Sequence, residues 1–127
     1  MLLQDVIEKL SNEQIDKLVA EKVMGWHWVP FDKSDPDRFI HLSDPDGMWL
    51  DAENKFHHND FLPSLNISQA WEVVESQRIW SVTIENLPDH PREIVCRFYK
   101  PFTGFHFFAV AETAPLAICR AALLALA

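Results

Sequence analysis

A chain of 127 residues with 48% apolar side chains, five Trp and nine Phe among them, carries enough apolar mass for one core but not for two, which excludes a disordered chain. Eleven basic residues against nineteen acidic ones leave a net charge of −8, a balance that repels duplex nucleic acid wherever no local basic patch overcomes it. The acidity is uneven, with eight acids against three bases between Asp32 and Asp60.

In chain order, Leu3, Val6, Ile7 and Leu10 recur at helical spacing and predict a short leading helix within residues 1–10. Ser11 and Gln14 then form a capping-box pattern, so a main helix is expected over Asn12–Met24, burying Ile15, Leu18, Val19 and Val23 and stopped by Gly25. Trp26-His-Trp-Val29 reads as a short strand closed by Pro30. From 32 to 63 the periodicity gives way to an acidic loop. Ser34-Asp-Pro-Asp37 and Ser43-Asp-Pro-Asp46 are turn chemistry, and Phe39–Leu42 and Met48–Asp51 are short strand candidates.

Asn66 caps a second predicted helix running to about Gln77, with Ile67, Ala70, Trp71 and Val74 expected on its buried face. Trp80–Ile84, Glu93–Lys100 and Phe105–Ala111 then read as an antiparallel meander, with Ile94, Cys96 and Phe98 on one face of its middle strand and Val95, Arg97 and Tyr99 on the other. The last two strands are apolar on both faces for much of their length, so helices are expected on both sides. The segment from Thr113 is apolar nearly all round, with only Arg120 charged, and predicts a helix that must be covered on more than one side. At about fifteen residues it is too short to cross a bilayer, which needs about twenty. The fold class is therefore α/β (α+β), an α-β-α arrangement with a largely antiparallel sheet in the order αββαβββα. Residues 1–10 are read as a helical N-terminal extension and 11–127 as one domain.

Three segments carry a family resemblance: Val19-Ala-Glu-Lys-Val-Met-Gly-Trp-His-Trp28, Pro63-Ser-Leu-Asn-Ile-Ser-Gln-Ala-Trp-Glu-Val-Val74 and Ala111-Glu-Thr-Ala-Pro-Leu-Ala-Ile-Cys-Arg-Ala-Ala-Leu-Leu124. In that order they resemble the phage ABA sandwich domain, a family of small proteins encoded by bacteriophages and prophages. The resemblance implies an α/β/α sandwich over the chain from about Asn12. Residues 1–10 look like an extension before the family's usual start, and Leu65-Asn66 stand where the family more often has Thr-Asp, an exchange that keeps a capping side chain. The family brings no established catalytic residues to carry over.

The candidate chemistry is thin. Asp35, Asp37, Asp44, Asp46 and Asp51 supply hard oxygen ligands, but their spacing is not that of an EF-hand, and solvated turns are favoured over a calcium site. His57 and His58, with His41 and Asp60 near in sequence, are weak metal candidates, because adjacent histidines on an extended segment point to opposite sides. Cys96 and Cys119 lie in apolar surroundings and read as core residues. The N-terminal stretch lacks a signal-peptide layout, so a reducing host bacterial cytoplasm is expected. No nucleophile elbow and no phosphate-binding glycine loop is present, and the reading leans away from an enzyme. Candidate ligand-binding residues are Arg97, Tyr99 and His106 near the tip of the meander, and Trp26, His27 and Trp28 on the first strand; packing is the competing role for each.

The function expected is that of a non-enzymatic phage accessory protein binding a host or phage partner, with counter-defence as one setting. The alternatives are a binder of a small anionic ligand such as a nucleotide, and a metal-dependent enzyme using His57 or His58. No cofactor, membrane or nucleic-acid partner is expected. A homodimer is a corollary, from the apolar surface of the leading segment and the terminal helix.

Overall fold

The computed structural model describes residues 4–30, 47–53, 55–57, 61–77, 81–87, 89–100, 102–104 and 106–125. The leading helix α1 spans Gln4–Glu8 and α2 spans Asn12–Leu18, with the break between them at Ser11. The capping box forms in full: Ser11 Oγ accepts the Gln14 amide at 3.2 Å and Gln14 Oε1 accepts the Ser11 amide at 2.9 Å. Helix α2 continues into one π-helical turn, Val19–Val23, closed by the Met24 amide donating to the Val19 carbonyl at 2.9 Å. The expected single helix is thus wider in its last turn, a feature that no residue pattern announced. Gly25 then stops it at φ +73, a conformation that suits a residue without Cβ.

Among the described residues, six strands form two three-stranded antiparallel sheets. In the first, β1 (His27–Pro30) pairs with β2 (Gly47–Leu50), and β2 pairs with β3 (Phe56–His57), a strand that the sequence had not suggested. The second sheet is the expected meander: β4 (Ser81–Leu87), β5 (His90–Tyr99) and β6 (His106–Ala111). Strand β5 starts at His90, three residues before the expected Glu93, and the register shifts at Asn86/Leu87. Its face assignment is as expected: Cys96 pairs with Ile84 and Ala109, and Phe98 with Val82 and Phe107, all within one core cluster. The strand candidate Phe39–Leu42, Trp80 and most of the acidic loop lie outside the described residues.

Helix α3 (Ile67–Ser76) is capped as expected, Asn66 Oδ1 accepting the Gln69 amide at 3.1 Å. It is rotated from the expected face. Ala70 and Val73 are buried, whereas Ile67 and Trp71 stand 44% and 46% exposed. The terminal helix α4 (Ala114–Ala125) is buried nearly all round, with Ile118, Cys119, Ala121, Ala122 and Leu123 inaccessible. It packs on β5 and β6 and also receives α1, α2, the π turn and α3, so the fold itself covers it. Arg120 donates from Nη1 to the Val110 carbonyl at 2.9 Å and from Nη2 to the Glu8 carbonyl at 3.5 Å, tying α4 to β6 and to the end of α1. Mixed helices and antiparallel sheets make this an α/β fold, layered in contact order as meander, α4, the remaining helices and the first sheet. Among the described residues no helix is long and apolar enough to cross a membrane.

Candidate functional site

The helical repeat that buries Ile15, Val19 and Val23 sets Glu13, Lys17 and Glu21 along the outer side of α2 and the π turn, with Asp16 between the two sides. Opposite them stands the first sheet, where cross-strand pairing of Trp28 with Trp49 brings the two indoles edge to face, centroids 5.2 Å apart at 72°. Phe61 and Leu62, on the approach to α3, close the end. These residues enclose a cleft of about 520 Å³, within the size range of small-ligand sites. Trp49 and Phe61 form a desolvated wall, while Trp28 and Leu62 reach solvent.

Asp16, 5% exposed, is the one charged residue in the buried set among the described residues. Its Oδ1 accepts the Ser64 amide at 2.8 Å, while Oδ2 and the neighbouring Ser64 Oγ have no hydrogen-bond partner. Burial raises the Asp16 carboxyl above its ordinary value, against the opposing pull of Ser64. With Glu13 and Glu21 nearby, the cleft lining among the described residues holds three acids against one ammonium, that of Lys17. Such a lining disfavours anions and suits apolar and cationic groups.

Of the six ligand-binding candidates, Trp28 lies in this cleft. Trp26 is buried behind it, its ring 4.6 Å from that of Phe61, and His27 is exposed on the alternate side of β1. Arg97, Tyr99 and His106 are brought together elsewhere, on the face of the meander turned away from α4. Arg97 Nε bonds Glu85 Oε1 at 3.1 Å and the guanidinium lies 5.5 Å over the Phe108 ring, while Tyr99 pairs with exposed His106. The tip beyond them carries Phe102, fully exposed at φ 68.

His57 is in β3, and His58, His41 and Asp60 lie outside the described residues, among which no cluster of His, Cys, Asp or Glu could hold a metal ion. Asp35, Asp37, Asp44 and Asp46 also lie outside them. Asp51 Oδ1 accepts the Glu53 and Lys55 amides at 2.8 and 2.9 Å, the bonding of a turn residue. Cys96 and Cys119 are free thiols buried in the core; desolvation pushes Cys96 up to about 12 and Cys119 further, the Asp16 and Cys96 charges adding to the latter. Neither has the character of a nucleophile.

Sequence reasoning missed Glu13, Asp16, Lys17, Glu21, Trp49, Phe61 and Leu62. One signal was available: Asp16 precedes Val19 and Ala20 by three and four residues, so an acid falls within the apolar stripe of an amphipathic helix.

Residues 17–123 match the family described as the phage ABA sandwich domain. Among solved structures, a phage protein from Bacillus cereus ATCC 14579, known from a 2.0 Å crystal structure, is similar at 26% identity over 90% of each chain, with a TM-score of 0.61. No curated protein matches the chain.

Proposed function

The chain belongs to the phage ABA sandwich domain family, and on that premise we propose that it is a phage accessory protein that works by binding a host or phage protein rather than by catalysis. The observation that carries this reading is the pair of large apolar side chains that α3 leaves exposed. This helix buries the small side chains Ala70 and Val73 and turns Ile67 and Trp71, one helical turn apart, towards solvent. Leu62 and Leu65, on the approach to α3, are 41% and 63% exposed. A Trp flanked by aliphatic side chains is the composition of interface centres, whereas scattered single apolar residues need no such account.

The test is capture from lysate of phage-infected host cells, with the wild-type chain and an Ile67→Ser/Trp71→Ser variant compared side by side. A protein retained by the wild type and lost by the variant, with thermal stability unchanged, supports the reading. Capture of the same protein by both, or of none by either, overturns it. Sedimentation of the purified chain tells whether the partner is a second copy: in that case the wild type is a dimer and the variant a monomer.

A second reading, a small anionic ligand at the meander, is favoured by the grouping of Arg97, Tyr99 and His106 on one accessible face. Glu85 competes for the guanidinium there. Thermal stabilisation by nucleotides, lost in Arg97→Ala, would distinguish it from the first.

A further inference from the structure

The cleft between α2 and the first sheet has a binding chemistry of its own and shares only Leu62 with the α3 surface. We propose that it is a site for an organic cation, an alkylammonium or guanidinium group held by Glu13, Asp16 and Glu21 and seated against the rings of Trp28 and Trp49. Four observations converge on this assignment. The cleft measures about 520 Å³, large enough for a side-chain-sized ligand. Among the described residues its lining is one-sided in charge, three carboxylates to one ammonium, and Lys17 forms an ion pair with neither Glu13 nor Glu21, one turn away on each side.

Asp16 lines the cleft, and its buried Oδ2, beside the Ser64 hydroxyl, makes no hydrogen bond, in a residue 5% exposed. A buried acceptor left unpaired is costly, and an N–H donor brought by a ligand would satisfy it. Trp28 and Trp49, edge to face at 5.2 Å, present a π surface of the kind that attracts ammonium and guanidinium groups. Because Trp49 and Phe61 exclude water from the inner wall, the attraction there is screened less than on an open surface. A bare divalent ion is a poor fit, because among the described residues no three acidic, His or Cys side chains converge closely enough to ligate one. An anion is opposed by the carboxylates.

Two sources share this chemistry, a free polyamine and a Lys or Arg side chain of a peptide. Titration calorimetry with butylammonium, spermidine and a capped Gly-Arg-Gly peptide reads affinity, and NMR of the tryptophan indole N–H groups reads location. Butanoate and Mg²⁺ serve as contrasting probes. Saturable binding of the cations is expected, with Trp28 and Trp49 indole shifts and weakening by about fivefold or more in both Trp28→Ala and Glu21→Gln, each altering an exposed residue. Spermidine binding more tightly than the peptide identifies the free polyamine as the source, and the reverse order identifies the side chain. The proposal is overturned if no cation binds, if butanoate or Mg²⁺ binds as well as the cations do, or if both variants bind like the wild type. Because the α3 surface is untouched in these variants, the outcome is independent of partner capture.

Discussion

Replacing Asp16 by Asn removes a charge from the interior while leaving Oδ1 to accept the Ser64 amide, which it does at 2.8 Å. Burial holds the folded carboxyl above its ordinary value of 3.8, desolvation outweighing the two contributions of Ser64. An acid that holds its proton more tightly in the folded chain than in the unfolded one contributes stability that is complete below its unfolded value and is withdrawn as pH rises through the folded value. The Asn variant loses nothing over that range. Its advantage should therefore be absent near pH 3, appear as the carboxyl ionises, and level off at neutral pH.

The expected result is that Asp16→Asn gains on the wild type between pH 3 and neutrality and keeps that gain at pH 7, its sign set by burial of the carboxyl. Asp16→Ala separates charge from hydrogen bonding: it also removes the acceptor for the Ser64 amide and should fall below Asn by about 1–3 kcal/mol. Urea unfolding followed by tryptophan fluorescence at several values between pH 4 and 8 measures both variants. If Asp16→Asn is less stable than wild type at pH 7, by a margin that widens with pH, the carboxylate is net stabilising and the reasoning fails.

Phe98, fully buried between the meander and α4, should lose about 3–5 kcal/mol as Phe98→Ala, read as a lower urea midpoint at unchanged slope. Gly25→Ala should cost about 1 kcal/mol for conformation alone, because φ is +73 and nothing lies within 4 Å of the added methyl; a loss above about 3 kcal/mol would point to a hidden clash. Ser11→Ala should cost about 1 kcal/mol through the capping box, measured by thermal unfolding. Cys96 and Cys119 should resist a thiol reagent at pH 8 in the native chain and react completely in urea; fast native labelling would contradict their burial.

Local chemistry made much of the fold legible. The Ser11/Gln14 box, the Gly25 stop, the Asn66 cap and the alternation around Cys96 and Phe98 each depend on residues within a few positions of one another. What the sequence did not disclose depends on tertiary contacts. Ile67 and Trp71 fit a buried helical face as well as Ala70 and Val73 do, and the choice was settled by how closely α4 approaches: small side chains fit that contact and large ones do not. The cleft was hidden for a related reason, since Glu13 and Glu21 meet Trp28 and Trp49 only after β1 and β2 pair and lie against the π turn. Trp28 and, through its place in the apolar stripe of α2, Asp16 were within reach of sequence reasoning; Trp26, two residues from Trp28, is placed by the fold in the core.

Helix α4 is central in space but last among the elements in chain order, and its Arg120 reaches back 112 residues to the Glu8 carbonyl. While the chain is synthesised from its N-terminus, Ile7, Ile15, Val73 and Phe98 all precede the helix they pack around. Local turns and hairpins can form early, but their apolar faces have no cover until α4 arrives. Contacts so distant in sequence slow folding and prolong the interval in which a chain can aggregate. Substitutions in α4 should therefore reduce the yield of folded protein in cells by more than their effect on equilibrium stability accounts for.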